Sequence, residues 1–125
     1  MDEIKYSGVD EHFETGAKRE AKGGKGRFDL LPPRALKRLA IHFENGGKNH
    51  GDRNWEKGIP LHSYVDSGLR HFNDFMEGKT DENHLNALMW NVTCLVETIE
   101  RIREGILPQT LNDLPWLQIE GINNN

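Results

Sequence analysis

From residue 28 onward, apolar residues recur at the three- and four-residue intervals that gather side chains on one face of an α-helix. The segment "PPRALKRLAIHFENGG" opens on proline, whose missing N–H is no loss in a first turn. Ala35, Leu36, Leu39, Ala40 and Phe43 form its apolar face, and Gly46 or Gly47 suits its C-terminal cap. "PLHSYVDSGLRHFNDFMEG" repeats the device between Pro60 and Gly78, with Leu61, Tyr64, Val65, Leu69, Phe72 and Met76 on the face expected to be buried. The third and longest helix is "TDENHLNALMWNVTCLVETIERIREG". Thr80 or Asp81 can cap it, Glu82 complements the positive end of its dipole, and Gly105 ends it. Its apolar face runs through Leu85, Leu88, Val92, Leu95, Val96, Ile99 and Ile102.

The ends of the chain lack this periodicity. Residues 1–27 read as a flexible basic segment that a ligand or partner can order, and "QTLNDLPWLQIEGINNN" as an arm packing on the bundle or on a neighbouring subunit. No convincing strand is visible. The pattern predicts an all-α fold: a small bundle of three main helices, with an irregular basic N-terminal segment, a single helical domain over 28–125 and a C-terminal arm. Three amphipathic helices make a thin core, so a homo-oligomer is expected to bury their remaining faces.

Composition narrows the picture. A chain of 125 residues is one domain, and 35% apolar against 29% charged residues is polar for a globular protein. The net charge of −4 argues against a partner that is a long nucleic acid. Yet Lys18, Arg19, Lys22, Lys25 and Arg27 face one acid, Glu20, between Gly16 and Arg27, which suits a small anionic ligand. Cys94 has no disulfide partner and falls in an apolar run, as a buried thiol would. With no signal peptide and no stretch of membrane-spanning length, the expected location is cytoplasmic, with no membrane partner.

Three groups of polar residues exceed what the helix pattern needs. In the second helix Ser67, His71 and Asp74 form a row beside Leu69 and Phe72, and Arg70 lies one turn after Asp66. His71 and Asp74, at i and i+3, can reach one divalent ion. In the third, His84 and Asn91 flank the stripe. These residues read equally as an interhelical hydrogen-bond network or as a polar cleft for metal or phosphate. "KGGKGR" offers glycine N–H groups with Lys25 and Arg27, but lacks the full phosphate-loop pattern, and it also reads as a basic tail. The connector "GKNHGDRNWEKGIP" carries Lys48, Arg53, Asp52 and Glu56 around Trp55, which can stack on a base or anchor the loop.

Taken in order, "TGAKREAKGGKGRFDLLPPRALKRLA", "GGKNHGDRNWEKGIPL", "DSGLRHF" and "DENHLNALMWN" resemble the phage and prophage dATP/dGTP diphosphohydrolase N-terminal-domain family, from about Thr15 to Pro115. The matching positions are Lys25, Gly26, Arg27 and Asp29, then Gly51 to Glu56, then Arg70 and His71, and last His84, Trp90 and Asn91. Asn49 and His50 stand where a Tyr beside the glycine is expected. The resemblance implies cleavage of a purine nucleotide, a deoxynucleoside triphosphate, to monophosphate and pyrophosphate, trimming a purine pool. It departs from MazG-like pyrophosphohydrolases, which hold Mg2+ on paired ExxE and ExxD motifs; here the nearest acids are Glu44, Asp52, Asp66, Asp74 and Glu97.

On this reading Lys25, Arg27, Lys48, Arg53 and Arg70 neutralise the triphosphate and Trp55 stacks on the purine. Mg2+ (or Mn2+) is held by Asp52 and Asp74 with Glu44 or His71, and His71, His84 and Asn91 act on the attacking water or the base. The alternative is a non-catalytic protein that binds or sequesters nucleotide. A third is a structural oligomer whose polar flanks specify assembly.

Overall fold

The computed structural model of the chain describes residues 8–21 and 23–122. What the sequence predicts for residues 1–7, Lys22 and 123–125 lies outside them. The chain divides into two compact units, Met1–Pro33 and Arg34–Asn125.

The first unit contains a hairpin, which corrects the expectation of a strand-free chain. β1 (Asp10–His12) pairs antiparallel with β2 (Lys18–Glu20), with Asp10 opposite Glu20, Glu11 opposite Arg19 and His12 opposite Lys18. Strands of three residues with no apolar member give no alternation to detect. The hairpin rests instead on backbone hydrogen bonds, an oppositely charged cross-strand pair and a turn in which Gly16 takes φ +89°. Downstream, Lys25 pairs with Glu20 at 2.6 Å, and the Arg27 fork grips Asp29 through Nε and Nη2 at 2.8 and 2.7 Å. A 3-10 turn, Phe28–Leu30, follows.

The second unit is the predicted three-helix bundle. α1 (Pro33–His50) does not stop at Gly46 or Gly47 but runs on to His50. Gly51 ends it with φ +90°, its N–H bonded to Gly47 O at 2.9 Å. Gly47 serves packing instead: a Cβ there would collide with Asp52 Oδ1. α1 presents Ala35, Leu39, His42 and Phe43 as a half-buried stripe, and the His42 and Phe43 rings lie 6.1 and 5.9 Å from that of Trp90.

α2 (Leu61–Met76) and α3 (His84–Arg103) run antiparallel. Gly78 closes α2 in the left-handed conformation, and Asn83, rather than Thr80 or Asp81, caps α3 by accepting from Asn86 N at 2.9 Å. The two helices meet along His84, Ala87, Asn91, Cys94, Thr98 and Ile102 of α3 and Leu61, Tyr64 and Gly68 of α2, all buried. The contact row is therefore rotated from the one drawn through the largest apolar residues. Leu85, Val92, Val96, Leu69, Phe72 and Met76 are all exposed, Leu69 at 65%. The small residues explain the rotation: at Gly68 a Cβ would already stand 3.5 Å from Leu88 and 3.6 Å from Asn91, so the helices approach closely on that line.

The interface changes character along its length. Near the α2–α3 connection it is His71, His84, Ser67 and Asn91; at the far end it is Leu61 and Ile102. Onto that apolar end folds the C-terminal arm. Leu114 and Ile119 join Leu61 and Ile102 in one core cluster, flanked by Val65, Leu95, Ile99, Leu107, Leu111 and Leu117. Gln109 Nε2 donates to Ile119 O and Asn112 Nδ2 to Leu117 O, each at 2.9 Å, and Ile122 N returns to Arg103 O. Asp113 serves the start of α2, accepting from His62 N at 2.9 Å and pairing with the His62 ring.

Three consequences are measurable. Leu114→Ala or Ile119→Ala empties part of the core and is expected to cost about 2–4 kcal/mol in urea unfolding; a cost near zero would mean the arm is not docked. The backbone and ring of His62 hold the Asp113 carboxyl below its ordinary range, so the bond is fully present at neutral pH. As pH falls, the unfolded chain takes up its proton first, and the contribution fades until pH passes below the depressed folded-state value. Asp113→Asn should thus melt earlier at pH 7, with the gap from wild type closing on acidification. Burial, with Glu97 nearby, pushes the Cys94 thiol up to about 12. A thiol reagent at pH 8 should label the native chain far more slowly than the urea-unfolded chain.

Candidate functional site

The residues singled out from the sequence fall into separate places. Glu44, Asp52, Arg53 and Trp55 line one open cleft of about 540 Å³ in the second unit. Its walls come from the second half of α1, the loop that follows it and the C-terminal half of α3, which adds Glu97 and Arg101. The loop is shaped by Arg53, the one described non-glycine residue with positive φ, at +59°, and by a 3-10 turn, Asn54–Lys57, that lays Trp55 inward. Left-handed backbone at a large residue carries strain that its surroundings must hold. Here it turns the chain sharply enough to bring Glu56 back within 3.4 Å of the Arg53 guanidinium.

Arg101 is the centre of the cleft's electrostatics. Its guanidinium lies 4.9 Å from the Trp55 ring centroid, while Nε donates to Glu97 at 2.8 Å and Nη2 lies 3.6 Å from Glu56. The carboxylate of Glu97 raises the Arg101 pKa further. Trp55 is half-buried and lines both this cleft and a 60 Å³ cavity beside Trp90, His50 and Gly47. It therefore anchors the loop, and it also faces the cleft. In the sequence Arg101 is marked only by its i, i+4 spacing from Glu97, an ordinary signal on any charged helix face. Glu97 and Glu100 are also an ExxE pair on α3, of which only Glu97 lines the cleft. Lys48 stands one turn from Glu44 and pairs with it at 3.5 Å.

His71, His84 and Asp74 form a second group, at the α2–α3 connection. Glu97 stands thirteen positions after His84 on α3, roughly 20 Å along the helix axis, so the two groups are not one site. The His84 ring is buried, with its Nδ1 3.0 Å from His71 Nδ1 and its Nε2 2.9 Å from Asp81 Oδ1. Glu82, expected only to complement the helix dipole, reaches both rings, at 3.1 Å from His71 Nδ1 and 3.6 Å from His84 Nδ1. Asp74 binds Lys79 at 3.2 Å and keeps its other oxygen 3.9 Å from His84.

The remaining expected site residues are engaged elsewhere. Asn91 donates to Ala87 O at 2.8 Å and to Ser67 Oγ at 3.3 Å, within the helix interface. Arg70 pairs with Asp66 on the surface of α2. Lys25 and Arg27 belong to the first unit, where Arg27 lines an open 710 Å³ hollow with Gly23, Gly24, Gly26, Glu11 and Asp29. Among the described helices none is long and apolar enough to cross a membrane.

Comparison with known proteins adds one finding. No curated protein and no solved structure matches the chain. A family model described as dATP/dGTP diphosphohydrolase, N-terminal, matches residues 15–106, which take in β2, α1, the Trp55 loop, α2 and all of α3. The chain belongs to the dATP/dGTP diphosphohydrolase N-terminal-domain family.

Proposed function

We propose that the chain acts on purine deoxynucleoside triphosphates in the Trp55 cleft, releasing pyrophosphate with the help of Mg2+ or Mn2+. The observation that carries this reading is the meeting, in one open cleft, of an aromatic face, two arginines and the carboxylates of Glu44, Asp52, Glu56 and Glu97. Arg53, 76% exposed at its side chain and held only by a 3.4 Å contact with Glu56, is the cation best placed to exchange its partner for a phosphate. Trp55 offers an edge for a purine beside the guanidinium of Arg101. Lys48, paired at 3.5 Å with Glu44 of the cleft, adds positive charge. Lys25 and Arg27 already hold carboxylates of their own unit and have no role in this proposal.

A magnesium ion fits this donor set because it is commonly held by one or two carboxylates together with substrate phosphates. Asp52 and Glu97 are the residues that would hold it, with Glu44 beside them. When bound, it supplies charge neutralisation at the phosphoryl group and a lowered pKa for the attacking water. The protein's own contribution is positioning: the Gly47 gap fixes Asp52, the Arg101 bond fixes Glu97, and the strained Arg53 turn fixes Trp55. The outward apolar residues Leu69, Phe72, Leu85, Val92 and Val96 would find cover in a homo-oligomer.

A second reading, nucleotide sequestration, is favoured by a specific feature. Among the described residues no three carboxylates of the cleft come within reach of one ion; the one such cluster is His71, Glu82 and His84. One experiment separates the two. With Mg2+ and dATP or dGTP, pyrophosphate and deoxynucleoside monophosphate should accumulate together. Asp52→Asn and Glu97→Gln should each lower kcat by about 100-fold, and Arg53→Ala should act mainly on KM. Tight calorimetric binding without pyrophosphate would establish sequestration instead, and neither binding nor turnover would remove nucleotides from the account.

A further inference from the structure

We propose that His71, Glu82 and His84 form a binding site for a divalent first-row transition metal, separate from the nucleotide cleft and built to clip the α2–α3 connection. The site is distinct in chemistry as well as place: imidazole nitrogens suit zinc, iron, cobalt or nickel, whereas the all-oxygen donors of the cleft suit magnesium.

The geometry is the main argument. His71 Nδ1 and His84 Nδ1 are 3.0 Å apart, and Glu82 Oε1 is 3.1 Å from the first and 3.6 Å from the second. Ligand atoms bonded to one such ion at about 2.0–2.2 Å stand roughly 3.0–3.5 Å from one another, so the three atoms already have the spacing of a shared coordination sphere. Two imidazole nitrogens and a carboxylate oxygen pointing at one another are held together either by a proton or by a metal ion among them.

The surroundings fix which nitrogens face the ion. His84 Nε2 is 2.9 Å from Asp81 Oδ1, and the carboxylate can only accept, so the ring proton belongs on Nε2. His84 Nδ1 is then the free lone pair, turned toward His71 and Glu82. This carboxylate–histidine pairing is the usual support of a metal-bound imidazole, setting both tautomer and ring orientation. The His84 side chain is 3% exposed and His71 18%, while Glu82 is 55% exposed. The ligands thus combine a rigid, dry inner wall with an open outer side through which an ion enters. Asp74 Oδ2, 3.9 Å from His84 Nδ1, is the nearest further oxygen. Asn83 sits between two of the ligands, and its cap on α3 holds that stretch in place.

The rival arrangement is a proton on His71 shared with Glu82 and His84, and titration with Co2+ decides between them. Chelator-treated chain should take up one equivalent of Co2+ with visible absorption bands typical of nitrogen and oxygen ligation. Zn2+ should displace it, and both ions should raise the melting temperature. Glu82→Gln, a change at an exposed side chain, and His71→Ala should each weaken Co2+ binding by about tenfold or more, with folding checked by circular dichroism. Asp52→Asn, in the cleft, should leave it unchanged. Absence of Co2+ uptake by the folded chain, or uptake lost with Asp52→Asn but not with Glu82→Gln, would overturn the site. None of these readouts requires nucleotide or turnover, so failure here and failure of the nucleotide reading remain separate.

Discussion

Burial of the α3 row His84, Ala87, Asn91, Cys94, Thr98 and Ile102 is the constraint from which the helical unit follows. Small side chains along that row and Gly68 opposite let two helices come close, and close approach leaves no room for water between them. Every polar atom on the row must then find a partner inside the protein or bear the cost of burial. Asn91 finds Ala87 and Ser67. His84 finds Asp81, His71 and Glu82. Tyr64 Oη and Thr98 Oγ1, one turn in from Leu61 and Ile102, are buried without a hydrogen bond of normal geometry, and burial with the adjacent thiol pushes the Tyr64 phenol up to about 12. The same row that stabilises the hairpin of helices therefore dictates where His84, its partner His71 and Asn91 collect.

This polarity gradient divides the labour along the helix pair. The apolar end is completed by the C-terminal arm, whose own hydrogen bonds tie it into a compact cover over Leu61 and Ile102. The polar end is completed by the connection between α2 and α3, which supplies Asp81 and Glu82. The Trp55 cleft lies on a different side of α3, where Glu97 and Arg101 turn away from α2 toward α1 and the Trp55 loop. One helix thus serves both the histidine cluster and the cleft, and its length keeps them apart.

Much of this was legible in the residues. Prolines and glycines marked the helix ends closely for α2 and α3, and the periodicity established three helices. Trp55, Asp52 and Arg53 stood out because a solvated turn has no need of them, and the cleft is built around them. Other features were hidden for physical reasons. An apolar-count stripe favours Leu and Val, but close contact favours small residues such as Gly68, Ala87 and Cys94, so the buried row of α3 lies about a quarter-turn from that stripe and Leu85, Val92 and Val96 are exposed. Gly46 and Gly47 carry the signature of a cap, yet the helix runs on to His50 and turns at Gly51, and the missing side chain of Gly47 leaves room for Asp52 instead. The charged hairpin of β1 and β2 has no alternation to reveal it. The division of the expected site into two groups depends on axial distance along α3, which a list of polar residues does not show.

Gly47 has a consequence of a different kind. A site residue is usually probed by altering its own chemistry, which changes charge and shape together. Here the position of Asp52 depends on the absence of a single carbon on a neighbouring helix. One added methyl group on α1 would shift the carboxylate while leaving every ionisable group of the cleft intact, so that location and charge become independent variables. The glycine is in effect a mechanical adjustment screw for the loop, set by the covalent chain rather than by any interaction the loop makes.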